Sequence, residues 1–373
     1  MARTLRFGII TLLVSGTLIL AGTSASASTH HTWVVAPGTG TISAAVKAAS
    51  PGDTLQLKAG TFHDSVFVGQ FDATGAVLPK PLSIRGAGAD TIIRPPAAST
   101  NPCNGPGSVE GLCVVGQLDS MGNPVPSNPA RDVHISDLRT TGFSDAGVIG
   151  FNTLGFDVQR VRSDHNGGYG IARFASTLSL FAHNSVSYNG EAGLYVGDSP
   201  NARSVVRDNS TDHNTFGIFL RDSTVVLAED NVSWGNCVGI LALNSGHGAT
   251  GARGAGQYTI EENTVTANDR ACPSTGGPPT SGIGIALAGV VRTQVLDNKV
   301  TNNMPTGPSL ASGGVVMVSG VQGTSPASNN LVKGNMLDGN RPADIFWDKV
   351  GGGNSVSAND CDTAIPGNLG WCS

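Results

Sequence analysis

Apolar residues along this chain alternate with other residues in short runs. Leu194-Tyr-Val196, Ile218-Phe-Leu220 and Ile240-Leu-Ala242 are such runs, and each follows a glycine. A period of two places successive side chains on opposite faces of a strand, so each run predicts a strand with a buried face. Uninterrupted copies of the pattern are 22 to 25 residues apart. That length accommodates three short strands and three turns.

Two asparagines five residues apart mark each copy of this repeat. An earlier segment, Val161 to Asn166, keeps only the second asparagine, whereas six segments keep both: Asn184–Asn189, Asn209–Asn214, Asn231–Asn236, Asn263–Asn268, Asn298–Asn303 and Asn335–Asn340. Asparagine tolerates left-handed backbone in turns, and stacked asparagines can pair with each other. One such unit cannot bury its apolar face alone, but stacked units share a continuous core. The repeat therefore predicts an all-β solenoid, the right-handed parallel β-helix.

The N-terminal segment, residues 1–27, is expected to be a signal peptide. Arg3 and Arg6 precede a short apolar run, and Ala25-Ser-Ala27 offers a cleavage site. The remaining residues, 28–373, are expected to form a single β-helix domain.

The ends of a solenoid expose core and sheet edges, so both ends need caps. We expect an N-terminal cap at about 33–60, with a short capping helix from Thr41 to Ala49. The coils should follow at about 61–350, and a C-terminal cap at 351–373.

Charge and cysteine content narrow the possible partners and the compartment. Charged residues make up 13% of the chain, and loss of the two leader arginines lowers the net charge from −5 to −7. Nucleic acid is therefore not expected as a partner, and no later run has the roughly 20 apolar residues of a membrane span. Six cysteines favour an oxidising compartment, hence a secreted protein, extracellular or periplasmic. We expect it to be a monomer. Their placement suggests three bridges: Cys103–Cys113, Cys237–Cys272 and Cys361–Cys372.

The segment from Val34 to Leu55, followed by Gly60-Thr-Phe62, resembles the start of secreted pectate-lyase-like β-helix proteins. The repeated N-x-V-x-x-N…G-I pattern resembles the NosD-like group of that superfamily. The resemblance implies a β-helix but not one activity, because the superfamily includes lyases, hydrolases, epimerases and proteins without a known reaction. Of the polygalacturonase motifs only Gly246-His-Gly248 is present, and Gly155-Phe-Asp157 lacks the Pro-His of the epimerase D-P-H motif.

Aligned repeats place residues in columns along the helix axis. The position before the first asparagine carries a carboxylate on four successive coils: Asp208, Asp230, Glu262 and Asp297. Calcium prefers several oxygen ligands, so this column is a candidate calcium site. A solvated acidic edge, with Arg207 and Lys299 as compensating charges, is the alternative interpretation.

A second column is expected to face outward beside the second asparagine. It contains the candidate catalytic residues Asp164, His165, Tyr188, Asp212 and His213, with Trp234 as a candidate sugar-stacking residue. Asp164 and Asp212 lie two coils apart, roughly 10 Å, slightly more than the carboxyl separation of inverting glycosidases. The alternative is that these are ordinary turn residues inherited by duplicated coils.

A third group lies on the strand after this column. Tyr195 and Phe219 are expected to point outward and contact substrate. The superfamily resemblance implies a Lys or Arg base in lyases, a role open to Arg221 or Arg173. Two glycosylation sequons, at Asn209 and Asn231, coincide with the asparagine repeat and are interpreted as structural.

These features together predict a secreted carbohydrate-active protein that cleaves a polysaccharide, as a lyase or a glycoside hydrolase. A non-catalytic β-helix that binds glycan, cell envelope or metal is the alternative. The sequence does not decide whether the protein is an enzyme.

Overall fold

The computed structural model describes residues 30–246, 254–273, 277–323, 325–367 and 369–372. The predicted signal peptide and His247 of the Gly-His-Gly motif lie outside these residues. Twenty of the described strands form sheet A: Thr32–Val35, Thr54–Leu57, Gly60–His63, Ser83–Arg85, Thr91–Arg94, Ala130–Thr141, Thr153–Asp164, Thr177–Ala182, Ser185–Ser187, Ser204–Arg207, Ser210–Asp212, Val226–Glu229, Val232–Trp234, Thr259–Glu261, Thr264–Thr266, Gln294–Leu296, Lys299–Thr301, Leu331–Lys333, Met336–Asp338 and Ser355–Ser357.

Sheet B faces sheet A across the core. Its described strands are Val66–Val68, Leu112–Val115, Val148–Phe151, Ile171–Phe174, Ala192–Ser199, Phe216–Ser223, Val238–Leu243, Ile283–Ala288, Gly313–Val318, Ile345–Trp347 and Ala364–Ile365. Gln70–Phe71 and Val77–Leu78 form a separate antiparallel hairpin, and Val321–Gly323 is a 3₁₀ turn.

Each regular coil contributes two strands to sheet A and one to sheet B, and every strand pairs in parallel with its equivalent on the next coil. Val186, for example, pairs with Thr211, which pairs with Ser233. This in-register stacking confirms the parallel β-helix. We call the turn between the two sheet A strands the first turn, and the turn from sheet A to sheet B the second turn.

The core is a column of apolar side chains between the sheets. Leu194, Ile218, Ile240, Ile285 and Val315 occupy equivalent sheet B positions and are fully buried. Removal of this apolar surface from water is the main force that holds successive coils together.

Two asparagine ladders run through the turns, as the repeat predicts. In the first turn each Nδ2 donates to the next Oδ1 at 2.9 to 3.0 Å, along Asn184, Asn209, Asn231, Asn263, Asn298, Asn335 and Asn359. In the second turn the distances are 2.8 to 3.2 Å, along Asn166, Asn189, Asn214, Asn236, Asn268, Asn303, Asn340 and finally Asp344. The ladder asparagines are buried, so water cannot reach the backbone groups of these turns. The asparagine side chains supply the hydrogen bonds that those backbone groups need.

The predicted capping helix is present as Thr41–Ala48 and buries Ile42 and Val46 against the first coil. Asp64 accepts hydrogen bonds from the Ser43 amide and hydroxyl near the helix N-terminus, and Lys80 donates to the Val46 and Lys47 carbonyls at its C-terminus. These side chains satisfy backbone groups that a helix leaves free at its ends.

All three predicted disulfides are present: Cys103–Cys113, Cys237–Cys272 and Cys361–Cys372. Among the described residues there is no helix long and apolar enough to cross a membrane.

Candidate functional site

Four rings on successive coils line the outside of the second turn, and we call them the aromatic stripe: His165, Tyr188, His213 and Trp234. The His165 and Tyr188 centroids are 4.9 Å apart, and those of Tyr188 and His213 are 4.6 Å apart, both with 14° between ring planes. Trp234 stands edge-on to His213 at 5.0 Å and 86°. The structure thus brings together four of the predicted site residues.

The turn geometry explains why the first three rings stack. His165, Tyr188 and His213 each occupy the left-handed position before the ladder asparagine, with φ of 56°, 57° and 56°. Coils repeat at about 4.8 Å, close to the spacing of stacked rings. Trp234 lies one position earlier because Gly235 takes the left-handed position of that coil, which turns the indole across the stack.

Stacking leaves the ring edges of the stripe for solvent. The side chains of His165 and Tyr188 are 60% and 50% exposed, and His213 and Trp234 are 30% and 39% exposed. The exposed ring of Tyr188 therefore lies between two imidazoles, with the Trp234 indole at one end of the stripe.

Each histidine of the stripe bonds the aspartate that precedes it. His165 Nδ1 lies 3.1 Å from Asp164, and His213 Nδ1 lies 2.9 Å from Asp212. A carboxylate at Nδ1 favours the tautomer with its proton there, which leaves the Nε2 lone pair free to accept a proton. Two Asp–His pairs therefore flank Tyr188.

The two aspartates differ sharply in environment, and the expectation that Asp164 is an accessible outward carboxylate is wrong. Asp164 is fully buried because it binds Arg139 at 2.8 and 2.9 Å, Arg162 at 2.7 Å and the Thr141 hydroxyl. Burial raises the pKa of Asp164, but hydrogen bonds from Arg139 and its other partners outweigh burial and hold this pKa well below its usual range. A carboxyl held ionised in this way is unsuited to act as a general acid. Asp212 remains partly exposed.

A shallow depression of about 550 Å³ adjoins the stripe. It is lined by Phe143, His165, Asn166, Gly167, Tyr188, Asn189, Gly190, His213, Thr215 and Arg270. Arg270 was not among the residues that the sequence pointed to, although its place two residues before a predicted bridging cysteine was a usable signal.

Tyr195 and Phe219 correct the expectation of outward substrate contacts. Both lie on the outer face of sheet B, yet they are 0% and 4% exposed. They pack against each other, Tyr195 also packs against Phe174 on the preceding strand, and Phe219 packs against Phe216 of its own strand. Strand alternation predicts the face correctly, but it cannot show that bulky neighbours from adjacent coils bury that face.

The two arginines proposed as a base have other environments. Arg173 is fully buried and points into the core, where it bonds the Ser199 and Ser204 hydroxyls. Arg221 bonds Asp222 at 3.2 Å. Burial lowers the pKa of Arg221, but Tyr195 and nearby aspartates outweigh burial and raise it. Arg173 cannot meet a substrate, and Arg221 is poorly suited to accept a proton.

The acidic column occupies the left-handed position of the first turn. Asp208, Asp230, Glu262 and Asp297 have φ between 52° and 56° there. Within the described residues, no group of three or more His, Cys, Asp or Glu side chains is arranged to hold a metal ion. Calcium binding at this column stays a prediction, which calorimetric titration of the protein with calcium would test.

Among known families, the one described as the right handed beta helix region matches residues 146–331 of this chain. This protein folds as a right-handed parallel β-helix, as its resemblance to the pectate-lyase-like superfamily implies. Its predicted place in the NosD-like group stays a prediction. No curated protein matched the sequence.

Three solved β-helix structures show the extent of the likeness. The A-module of Azotobacter vinelandii mannuronan C-5 epimerase AlgE6 has a TM-score of 0.57 at 16% identity, covering 87% of this chain and 90% of its own. The AlgE4 A-module from the same organism has a TM-score of 0.55 at 17% identity, covering 88% and 96%. The periplasmic alginate epimerase AlgG has 0.51 at 14% identity, covering 88% and 76%. At these identities the likeness establishes the fold alone.

Proposed function

We propose that this β-helix protein is secreted, that it binds an acidic polysaccharide along the aromatic stripe, and that it cleaves this polysaccharide by elimination. The observation that carries the proposal is the Asp212–His213 pair, stacked on Tyr188 at the edge of an open depression. Two structures with the same fold are named as acting at C-5 of mannuronan, so the fold accommodates chemistry at that carbon. Three disulfides support a compartment outside the cytoplasm.

In the proposed reaction, His213 Nε2 accepts the proton from C5 of a uronate residue. The electron pair of that C–H bond forms a C4–C5 double bond, and the C4–O4 glycosidic bond breaks. Tyr188 donates its hydroxyl proton to the leaving oxygen, and the tyrosinate regains a proton from His213 or water. Asp212 stabilises the imidazolium that forms on His213, as carboxylates do in other Asp–His pairs.

The environment of Asp164 favours elimination over hydrolysis. Hydrolysis by two carboxyl groups requires one of them to be protonated as the acid. Asp164 is held ionised by Arg139 and Arg162 and is fully buried, so it can serve neither as the acid nor as an accessible base in an Asp164–Asp212 pair. Elimination requires only a base and a proton donor, which His213 and Tyr188 provide.

The test is a screen of the mature protein against uronate polysaccharides, recording the absorbance of unsaturated uronate together with new reducing ends. We expect both signals, and His213→Gln should lower the rate by about 10²- to 10⁴-fold, the usual contribution of a general base. His183→Gln is the matched control, because His183 is an exposed histidine at the left-handed position of the first turn, 3.9 Å from Asp208. Folded protein that yields neither signal on any substrate would overturn the proposal.

A non-catalytic glycan-binding protein is the second candidate. The exposed edges of the aromatic stripe favour it, because they can bind sugar hydroxyls without any reaction. In that case Trp234→Ala should weaken polysaccharide binding, while the wild-type protein releases no reducing ends.

A further inference from the structure

The segment after Asn268 contacts the two preceding coils before the chain enters its next sheet B strand at Ile283. The Arg270 backbone amide donates to the Asn236 carbonyl at 3.2 Å, and Arg270 Nη1 donates to the Asn214 carbonyl at 3.3 Å. Asn236 and Asn214 belong to the two preceding coils of the second-turn ladder. The guanidinium is thereby carried back to the residue directly after His213.

Covalent and hydrogen bonds hold this segment in place. Cys272 is bonded to Cys237 of the preceding coil, and Cys272 and Thr280 exchange backbone hydrogen bonds of 2.9 and 3.1 Å. The Asp269 carbonyl accepts hydrogen bonds from the Ser281 and Thr306 hydroxyls at 2.9 and 2.6 Å. The disulfide is the only covalent link among these restraints, and it lies two residues from Arg270.

The charge of Arg270 is unpaired in the described part of the chain. Arg139, Arg160 and Arg162 all bind aspartates, whereas Arg270 has no carboxylate within 4 Å among the described residues. Arg270 is exposed and lines the depression together with Tyr188 and His213. An exposed guanidinium beside a proton-accepting pair can bind a planar carboxylate through two parallel hydrogen bonds.

We propose that Arg270 is a specificity-determining residue that binds the carboxylate of the substrate sugar, and that the Cys237–Cys272 disulfide fixes it in that position. The inference rests on the proposed function, because it assumes that a polysaccharide binds along the stripe. A neutral polysaccharide would gain nothing from Arg270. An acidic polysaccharide would lose a charge-assisted contact when Arg270 or the Cys237–Cys272 disulfide is removed.

The experiment compares binding of a polyuronate oligosaccharide with binding of the same oligosaccharide after chemical reduction of its carboxyl groups. Arg270→Gln should weaken binding of the acidic chain about tenfold or more, the effect expected from one charge-assisted contact, and leave binding of the reduced chain unchanged. Arg203→Gln is the matched control, since Arg203 is an exposed arginine that bonds only the nearby Asn201 side chain in the described structure. It removes the same charge and should change neither affinity.

The role of the Cys237–Cys272 disulfide is tested in the same assay with a Cys237→Ser/Cys272→Ser variant, whose folding is checked by circular dichroism. It should lose the preference for the acidic chain, and adding Arg270→Gln to it should cause little further loss. Equal affinity of wild-type and Arg270→Gln protein for the acidic chain would overturn the inference while leaving the proposed function standing. If the wild-type protein binds neither chain, the proposed function itself fails.

Discussion

Asn231 offers the sharpest test of what holds the coils together. Its side chain is fully buried and makes four hydrogen bonds. Asn231 Oδ1 accepts from the Asn209 backbone amide at 3.1 Å and from Asn209 Nδ2 at 2.9 Å, while its Nδ2 donates to the Val206 carbonyl and to Asn263 Oδ1, both at 2.9 Å. Asn231→Ala removes all four bonds without demanding an unusual backbone, because the left-handed position belongs to Asp230.

The expected cost can be worked out bond by bond. Three of the groups left behind keep another partner. Asn209 Nδ2 still bonds the Phe181 carbonyl, and Asn263 Oδ1 still accepts from the Asn231 amide. The Val206 carbonyl belongs to a strand that stays paired within sheet A. The Asn209 amide loses its side-chain acceptor and is left unsatisfied in a buried turn. With about 1 kcal/mol for each of three net bonds and about 2 kcal/mol for the unsatisfied amide, less the regained side-chain entropy, the loss is about 3 to 5 kcal/mol.

The assay is equilibrium urea unfolding, together with hydrogen exchange at the Asn209 amide, since a stacked-repeat protein can lose stability locally before it unfolds. Asn201→Ala is the control, because Asn201 is exposed and its side chain bonds only the Arg203 side chain among the described residues; it should change the free energy of unfolding by less than about 0.5 kcal/mol. A loss below about 1 kcal/mol for Asn231→Ala, with protection of the Asn209 amide intact, would refute the view that the ladder stabilises the coils.

Three further predictions concern buried charge. Burial and the nearby Asp145 raise the pKa of Glu110 to about 7. Because the pKa of Glu110 is raised in the folded state, the stability that this residue contributes is complete below the unfolded value of this pKa near 4.5 and is lost as the pH rises through 7. Glu110→Gln should therefore stabilise the protein by up to about 3 kcal/mol at pH 8 and have no effect at pH 4, as measured by urea unfolding. Arg173→Met should raise the free energy of unfolding by about 1 to 3 kcal/mol, because the buried guanidinium has no carboxylate partner in the described structure. Ser199 and Ser204 keep other acceptors, and removal of the unpaired charge should outweigh the hydrogen bond lost by the Ser176 carbonyl; a loss of stability would contradict this. Asp164→Asn should cost about 3 kcal/mol at pH 7, and the cost should shrink as the pH falls below about 4, because a lowered pKa gives stability only above the unfolded value; an equal cost at pH 7 and pH 2 would count against the ion pair.

The sequence by itself determined the architecture of this protein, and it did so through local signals that repeat. Asparagines five residues apart and alternating apolar runs specify the same turn and the same buried face in every coil. Stacking equivalent coils follows from the need of each to bury that face, so the ladders, the Cys237–Cys272 bridge between coils and the alignment of His165, Tyr188 and His213 could be predicted.

Only the tertiary structure decided which of the aligned residues are accessible and which charges are paired. Arg139 pairs in register with Arg162 of the next coil, which brings its guanidinium onto Asp164. The coil that contains Arg139 lacks the asparagine pair that would have revealed this register. Tyr195 is buried by rings from neighbouring strands, and the Arg270 side chain reaches back to the carbonyl of Asn214, the residue after His213. Burial and charge pairing depend on contacts between coils and loops distant in sequence, which a repeat pattern does not contain.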